Sequence, residues 1–300
     1  MNGVVMGALM ALGMVQQTDT VFPAEGAKSL ALEVMGGSIS VTAWDRSEVA
    51  VRAEHSSRTH VTVRRSREGS RIVLEPEARR GPATIVDFEI SLPRALALEV
   101  EAMTADVTVT GVDGGVTLEV TQGDLVVRGG NGPVKLYTAT GRVLVEDVSG
   151  GVEAETAAGE VRMRNVSGAI EAESAGGDIV IEGATSASVD VGTVGGRVYY
   201  DGTFQQDGSY FFGTHGGTVT LVVPEGAGAT FHLASVHGTV INALGEKSER
   251  LEAGQRQTLE IGGGGALVEA ESFGGRVSLV RKGSEAATPP PARPSRSSGL

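Results

Sequence analysis

The residues with the clearest chemical potential are four glutamates in a region of regular repeats. They are Glu153, Glu155, Glu171 and Glu173. If the repeats stack, the two pairs lie on neighbouring strands and form one patch of carboxylates. Such a patch can recruit a divalent cation or a basic partner, because adjacent like charges cost stability. The competing interpretation is a solvated face that keeps the protein soluble, and it is favoured because exposed carboxylates are well screened.

Other signals for catalysis or metal binding are weak. His215 and His237 each precede a repeat glycine by one or two positions, so a turn could bring them together, although two exposed turn residues are the simpler interpretation. Some enzymes cleave glycans with paired carboxylates. Here the glutamates recur with the scaffold, and no nearby aromatic cluster would stack a sugar. We therefore expect no enzyme activity, no catalytic residue, no cofactor and no metal site.

Aromatic residues are concentrated in one short segment. Six of the chain's twelve aromatic side chains lie between residues 199 and 212. Strand alternation directs Tyr210 and Phe212 inward and Phe211 outward, so most of the cluster is expected to fill the core. The functional alternative is an exposed partner-binding surface built from Tyr199, Phe204 and Phe211.

A nine-residue frame organises the middle of the chain. The frame G-x-Φ-x-Φ-x-x-x-x, in which Φ is apolar, opens at Leu96 and recurs to about Thr185. Its third and fifth positions are always apolar, which places them on one face of a short strand with the residue between them pointing to water. Each frame is therefore one strand and one turn. Glycine holds the first position at Gly114, Gly123, Gly132, Gly141, Gly150, Gly159, Gly168 and Gly177.

Two frames are predicted to form one coil. A hydroxyl residue stands three positions before seven of the repeat glycines, beginning with Thr138 before Gly141. This recurrence predicts a ladder of hydroxyls along one edge of stacked, parallel coils. The fold class is therefore all-β, a parallel β-solenoid (β-helix) with coils of roughly 18 residues and two short strands per coil. Later coils are longer, and residues 245–257 are expected to bulge outward as a loop. No aspartate recurs at the turns, which argues against a calcium-binding β-roll.

The ends of the chain differ from the repeats. Residues 1–20 read as a signal peptide, because an apolar run over residues 4–15 is followed by polar residues. Residues 28–95 show uneven strand alternation and are predicted to form an N-terminal β cap with irregular coils. They continue into the regular and then irregular solenoid over residues 96–281 as one domain. Residues 282–300 lack core-forming side chains and are expected to be a disordered tail.

Composition limits the possible partners. The formal net charge of -12 opposes binding to nucleic acid or to an anionic membrane, and no basic stripe offsets it. The chain has no cysteine, which excludes disulfides and thiolate chemistry. We expect no transmembrane helix after signal cleavage.

One element of the cap carries a family resemblance. The segment from Gly36 to Val51, GGSISVTAWDRSEVAV, includes a Trp-Asp-Arg element and is followed by repeated Gly-x-Val-x-Val units. Together they make residues 28–281 resemble the bacterial putative-adhesin family of uncharacterised function. The resemblance implies a single-stranded parallel β-helix in an exported or envelope-anchored protein, and some relatives accompany envelope-stress responses.

The function expected from these features is that of a secreted or cell-surface adhesin-like module without catalytic activity. Its location would be periplasmic, cell-surface or extracellular, and its partner an unidentified protein or a cell-wall or surface glycan. Two alternatives remain open. One is a glycan-active β-helix enzyme that uses the acidic face. The other is an envelope scaffold that self-associates through its coil ends, or an envelope-stress accessory protein.

Overall fold

A computed structural model of the protein describes residues 15–78, 85–245 and 248–292. These residues form 25 β-strands and one 3-10 turn at Glu285–Ala287, so the fold is all-β. Most strand pairs within the long sheet are parallel. Within the described ranges, no helix is both long and apolar enough to cross a membrane.

The N-terminal region mixes parallel and antiparallel pairs. The strand alternation predicted between residues 30 and 90 is confirmed. β2 runs parallel to β5, β6 and β7, whereas the pairs β1–β3, β3–β6 and β4–β5 are antiparallel. The six strands are β1 (Val15–Pro23), β2 (Ser29–Trp44), β3 (Glu48–Ser56), β4 (Thr59–Arg65), β5 (Arg71–Ala78) and β6 (Asp87–Pro93).

After β6 the chain alternates between two stacks of parallel strands. β7 (Ala97–Thr110) contributes its first half to the A-stack and its second half to the B-stack, as β2 does. The other A-stack strands are β8 (Val116–Gln122), β10 (Val134–Thr140), β12 (Val152–Ala158), β14 (Ile170–Ser174), β16 (Ser188–Thr193), β18 (Ser209–Thr214), β20 (Ala229–Ser235) and β24 (Ala266–Ser272). The other B-stack strands are β9 (Leu125–Arg128), β11 (Val143–Glu146), β13 (Val161–Arg164), β15 (Ile179–Ala184), β17 (Val198–Gly202), β19 (Val219–Val223), β21 (Thr239–Ala243) and β25 (Arg276–Arg281).

The predicted 18-residue offset is confirmed by the strand register. Val134 pairs with Val152, and Val152 with Ile170, so identical frame positions lie above one another. Branched aliphatic side chains at these positions point inward, where one continuous core runs from Ala24 to Leu279. Period-two alternation thus explains both the burial of these side chains and the exposure of the glutamates between them.

The predicted hydroxyl ladder lies at one edge of the A-stack. The Ser174 hydroxyl accepts a hydrogen bond from the Gly177 amide at 2.8 Å and donates to the Gly159 carbonyl of the preceding repeat at 3.2 Å. Such a hydroxyl therefore joins successive turns of backbone. The same double contact recurs at Thr193, Thr214, Ser272 and Ser235. Of the other predicted ladder positions, Thr138 only donates, to the Gly123 carbonyl at 3.4 Å, and Thr156 has no hydrogen-bond partner among the described residues.

The last strands do not stack in chain order, which corrects the expectation that later coils follow one another with looped-out insertions. β24 pairs with both β18 and β20, and β25 with both β19 and β21. The segment predicted to be a loop, residues 245–257, contains β22 (Glu249–Leu251) and the start of β23 (Arg256–Ile261). These strands pair antiparallel with β21 and β20 and cover that end of the stacks. Their polar, alternating sequences made them read as loops.

Both predicted terminal segments overlap structured residues. Residues 1–14 of the predicted signal peptide lie outside the described residues, but Val15–Pro23 forms β1, which pairs with β3 along its whole length. Residues 282–292 of the predicted disordered tail lie against the B-stack, where the Ala287 and Pro290 carbonyls accept side-chain hydrogen bonds. The rest of that tail, residues 293–300, is outside the described residues.

Candidate partner-binding trough

A column of glutamates runs along the outer face of the A-stack. Glu33 pairs in register with Glu101, which pairs with Glu119, and Glu155 pairs with Glu173. Tyr137 occupies the column between Glu119 and Glu155, and Gly192 and Gly213 occupy it between Glu173 and Glu271. Within the described part of the chain, none of the column glutamates forms an ion pair. This carboxylate column consists of Glu33, Glu101, Glu119, Glu155, Glu173 and Glu271.

An apolar rim lies beside the column, two residues further along each strand. Met103, Val194 and Phe273 are between 45% and 58% exposed, so large apolar side chains face solvent there. Backbone hydrogen bonds link successive rim turns, such as the Gly195 amide to the Ala175 carbonyl at 2.9 Å. The apolar rim consists of Met35, Met103, Ala139, Ala157, Ala175, Val194, Val236 and Phe273, with Thr121 and His215 at the two remaining positions.

The column and the rim together line two grooves, of about 860 and 790 Å³. Glu155 and Ala157 line both grooves, so the two grooves meet at β12, and together they are called the trough. Residues 75–77 of β5 line one end of this trough, and residues 254–256, which lead into β23, line the other. The trough therefore extends between the two antiparallel ends of the fold.

The second half of the trough has a glycine floor and aromatic walls. An added Cβ at Gly192 would meet no atom within 4 Å, so the floor is open there. Phe211 leans over Gly213, and its exposed ring forms one wall. On the opposite side the His215 ring stacks on Phe273, with ring centroids 4.6 Å apart. This half can accommodate planar or aliphatic groups against its walls.

The four glutamates of the predicted acidic patch lie on neighbouring strands, in two adjacent outward rows. Glu153 pairs with Glu171 and Glu155 with Glu173, as the repeat spacing indicated. Glu155 and Glu173 line the trough, whereas Glu153 and Glu171 occupy the neighbouring outward row. The acidic charge of the trough therefore comes from a longer column than the four predicted residues.

Glu153 is already partnered. Lys135 donates to its carboxylate at 2.5 Å, and the Tyr137 hydroxyl donates to its other oxygen. These bonds, first that of Lys135 and then that of Tyr137, lower the pKa of Glu153. The same bond to Glu153 is the main cause that raises the pKa of Tyr137 to about 12, and burial adds to it. Tyr137 therefore remains a neutral hydrogen-bond donor in the first half of the trough.

The predicted aromatic surface is wrong for two of its three residues. Tyr199 is 3% exposed beneath the C-terminal segment, and Phe204 is 8% exposed in the core, where it contacts Tyr200 and Phe231. Phe211 alone is exposed, at 38%. Phe204 is buried because the longer connection after β17 folds back over the core, so strand alternation does not apply to it.

The two turn histidines, which were predicted to approach each other, are brought to the same aromatic ring. His215 and His237 both contact Phe273, because β24 lies between the strands that precede these histidines. Among the residues with described positions, no group of three or more His, Asp or Glu side chains is arranged to hold a metal ion.

Sequence reasoning missed most of the trough, although a signal was present. In the frames that begin at residues 96, 114, 150 and 168, the sixth position is always glutamate: Glu101, Glu119, Glu155 and Glu173. Aligning only alternate frames exposes this column, because alternate frames belong to the same stack. Phe273 carries a related signal, because the sequence S-F-G-G at residues 272–275 repeats the S-A-G-G of residues 174–177. Its neighbours in the stack carry no signal, since β24 is out of chain order.

Comparisons with known proteins do not show which family this chain belongs to. No protein-family model and no curated protein matches the chain. Among solved structures, a putative cell adhesion protein from Clostridium sporogenes aligns with 90% of this chain and 100% of its own, at 11% identity and a TM-score of 0.25. A TM-score at this level transfers no residue position, so the function of this chain has to be argued from its own surface.

Proposed function

We propose that this protein is an exported, non-catalytic binding module of the parallel β-solenoid type, with an adhesin-like role. In this proposal the trough holds an extended partner that carries positive charge. The observation that carries the proposal is the trough itself, in which a carboxylate column that forms no ion pair in the described part of the chain lies beside one apolar rim. Export is supported by the apolar run over residues 4–15.

The dimensions of the trough favour an extended partner. Ten A-stack strands, from β2 to β20, border it. At a strand spacing of about 4.8 Å they give a length of about 40 Å, which an extended peptide of about 12 residues would span. A compact ligand would touch only a small part of this surface.

Charge complementarity favours a basic partner. In-register carboxylates on neighbouring strands repel one another, and cations placed between them would relieve that repulsion. The rim offers apolar contact beside each charge, so a chain that alternates basic and aliphatic side chains fits both features. A neutral glycan could use the aromatic walls, but it would leave the column without a counter-charge.

We expect a peptide of alternating Lys and Val, about 12 residues long, to bind the full chain. Replacing three column residues, Glu119→Gln, Glu155→Gln and Glu173→Gln together, should weaken binding about tenfold, since each exposed pair contributes about 0.5 kcal/mol. Isothermal titration calorimetry at low and high salt measures the effect, and added salt should weaken wild-type binding.

The matched control replaces three carboxylates away from the trough, Glu54→Gln, Glu68→Gln and Glu225→Gln. It changes net charge equally, and it should leave affinity within about twofold of wild type. Equal losses in both triple variants would reduce the effect to net charge and reject the trough. Binding of a neutral oligosaccharide in place of the peptide would reject the basic partner. Release of reducing ends from that oligosaccharide would establish the glycan-active alternative.

A further inference from the structure

A second apolar cluster lies on the outward face of the B-stack, separate from the core. It consists of Val180, Tyr199, Val222 and Val280, which are at most 4% exposed. Strand alternation directs all four side chains away from the core. Something must therefore cover them, and the C-terminal segment does so, with Ala287 packed against the cluster.

The path of this segment is set by a turn directly after β25. Gly283 has a φ of +84°, which favours glycine, and the Ser284 amide donates to the Arg281 carbonyl at 3.1 Å. Lys282 also pairs with Asp201 at 2.9 Å. The chain then makes the 3-10 turn at Glu285–Ala287 and continues across the strands from β17 to β13.

Two side chains of the B-stack hold the segment by its carbonyls. The Tyr199 hydroxyl donates to the Ala287 carbonyl at 2.6 Å, and the Arg162 guanidinium donates to the Pro290 carbonyl at 2.8 Å. Burial is the main cause that raises the pKa of Tyr199 to about 12, so its hydroxyl stays protonated. Arg162 is itself fixed by ion pairs with Glu160 and Glu182.

The spacing of these donors matches a polyproline II helix. Arg162 pairs with Val180, and Val180 with Tyr199, so the backbone positions that carry the two donors are two strand spacings apart, or about 9.6 Å. The accepting carbonyls are three residues apart, which is one polyproline II turn of about 9.3 Å. Thr288, between them, has φ of -78° and ψ of 124°, and three prolines follow it. Carbonyls at this spacing point to the same side of the helix.

We propose that this face of the B-stack is a binding site for proline-rich segments in the polyproline II conformation, and that residues 288–290, which follow the 3-10 turn, occupy it in the free protein. The site combines an aromatic and aliphatic floor with two donors at the repeat of the ligand. It requires no sequence-specific side-chain contact beyond proline's preference for this conformation, because both donors bond to the backbone.

The test measures whether the site binds its resident segment when that segment is supplied as a separate peptide. The probe is a labelled peptide with the sequence of residues 284–292, SEAATPPPA. The receptor is the full chain with Pro289→Gly, Pro290→Gly and Pro291→Gly, which removes the conformational preference of the resident segment. The Ala287 and Thr288 amides bond to the Ser284 and Glu285 carbonyls within the 3-10 turn. Hydrogen exchange at these two amides reports whether the segment is released, because a turn this short does not persist once it is detached. Fluorescence anisotropy then measures binding of the peptide.

We expect the triple variant to lose protection at these amides and to bind the peptide, whereas the wild-type chain binds it at least about tenfold more weakly because its own segment competes at high effective concentration. Adding Tyr199→Phe to the variant should weaken peptide binding about fivefold through loss of one hydrogen bond. Tyr137→Phe, which removes a hydroxyl on the opposite face, should not.

Three results would overturn the proposal. Unchanged amide protection in the triple variant would show that polyproline II conformation is not what the site recognises. Release of the segment without peptide binding would show that the face only tolerates a tethered chain. A peptide with glycine in place of its prolines that binds equally well would remove the proline requirement.

Discussion

The Gly159→Ala variant should unfold under mild conditions or fail to fold. A Cβ at Gly159 would lie 2.8 Å from the Gly141 carbonyl carbon and closer still to its oxygen. Both are backbone atoms held by neighbouring strands, so neither can move away without breaking the register of the stack. We expect a loss on the order of 4 kcal/mol in the free energy of unfolding, measured by urea denaturation with circular dichroism.

Gly192→Ala is the matched control for this substitution. Gly192 lies inside β16, and an added Cβ there meets no atom within 4 Å. Alanine in a strand interior is expected to be neutral or to stabilise by about 0.5 kcal/mol relative to glycine. If both variants unfold at the same urea concentration, close backbone stacking at the corner is not what requires glycine at Gly159.

Arg162→Met should give the second largest loss of stability. The Arg162 and Glu160 side chains are 7% and 5% exposed and pair at 2.7 Å, and Arg162 also pairs with Glu182 at 2.9 Å. Removing the cation takes one counter-charge from the buried Glu160 carboxylate and one from Glu182. We expect a destabilisation of about 3 kcal/mol, measured by the same urea denaturation.

Arg164→Met provides the comparison on the same strand. Arg164 makes a similar pair with Glu146 at 3.0 Å, but its side chain is 43% exposed. Solvent screening should limit its effect to about 0.5 kcal/mol, and added salt should reduce that effect further. Equal losses for the two arginines would contradict the role assigned to burial. Tyr199→Phe separates the contribution of the C-terminal segment, which Arg162 also holds.

The part of the fold that follows a strict period could be predicted from the sequence. Branched residues such as Val134, Val152 and Ile170 mark the strands, and their spacing predicts the parallel register. The hydroxyl positions predict the corner for the same reason. In each case the same structural environment recurs many times, so the residue pattern is recognisable even though single positions vary.

What could not be predicted depends on contacts that occur once. Tyr199 occupies an outward position and would be exposed if alternation were the only influence, but the C-terminal segment buries it. The same segment read as disordered because it has few apolar side chains of its own. The segment contacts the sheet through Ala287 and through backbone carbonyls that accept hydrogen bonds. Backbone contacts of this kind do not depend on composition, so the sequence does not reveal them.

Part of the trough could be predicted from the sequence, because some of its residues follow the repeat. The four predicted glutamates recur with the repeat, and Glu155 and Glu173 do line the trough. Its aromatic walls depend on β24 lying beside β18, a pairing between segments more than fifty residues apart. No local pattern in the chain encodes that pairing, so the strand beside Phe273 could not be predicted.

β24 and β25 lie out of chain order in the two stacks, so the stacks can be completed only after both strands have been synthesised. β20 and β21 emerge from the ribosome before the strands on which they will rest, so the growing stack ends at β18 and β19 until residues 266–281 arrive. The aromatic half of the trough is thus assembled last. Glu271 lies on β24, two residues before the Phe273 wall, so the last carboxylate of the column and this wall join the trough together.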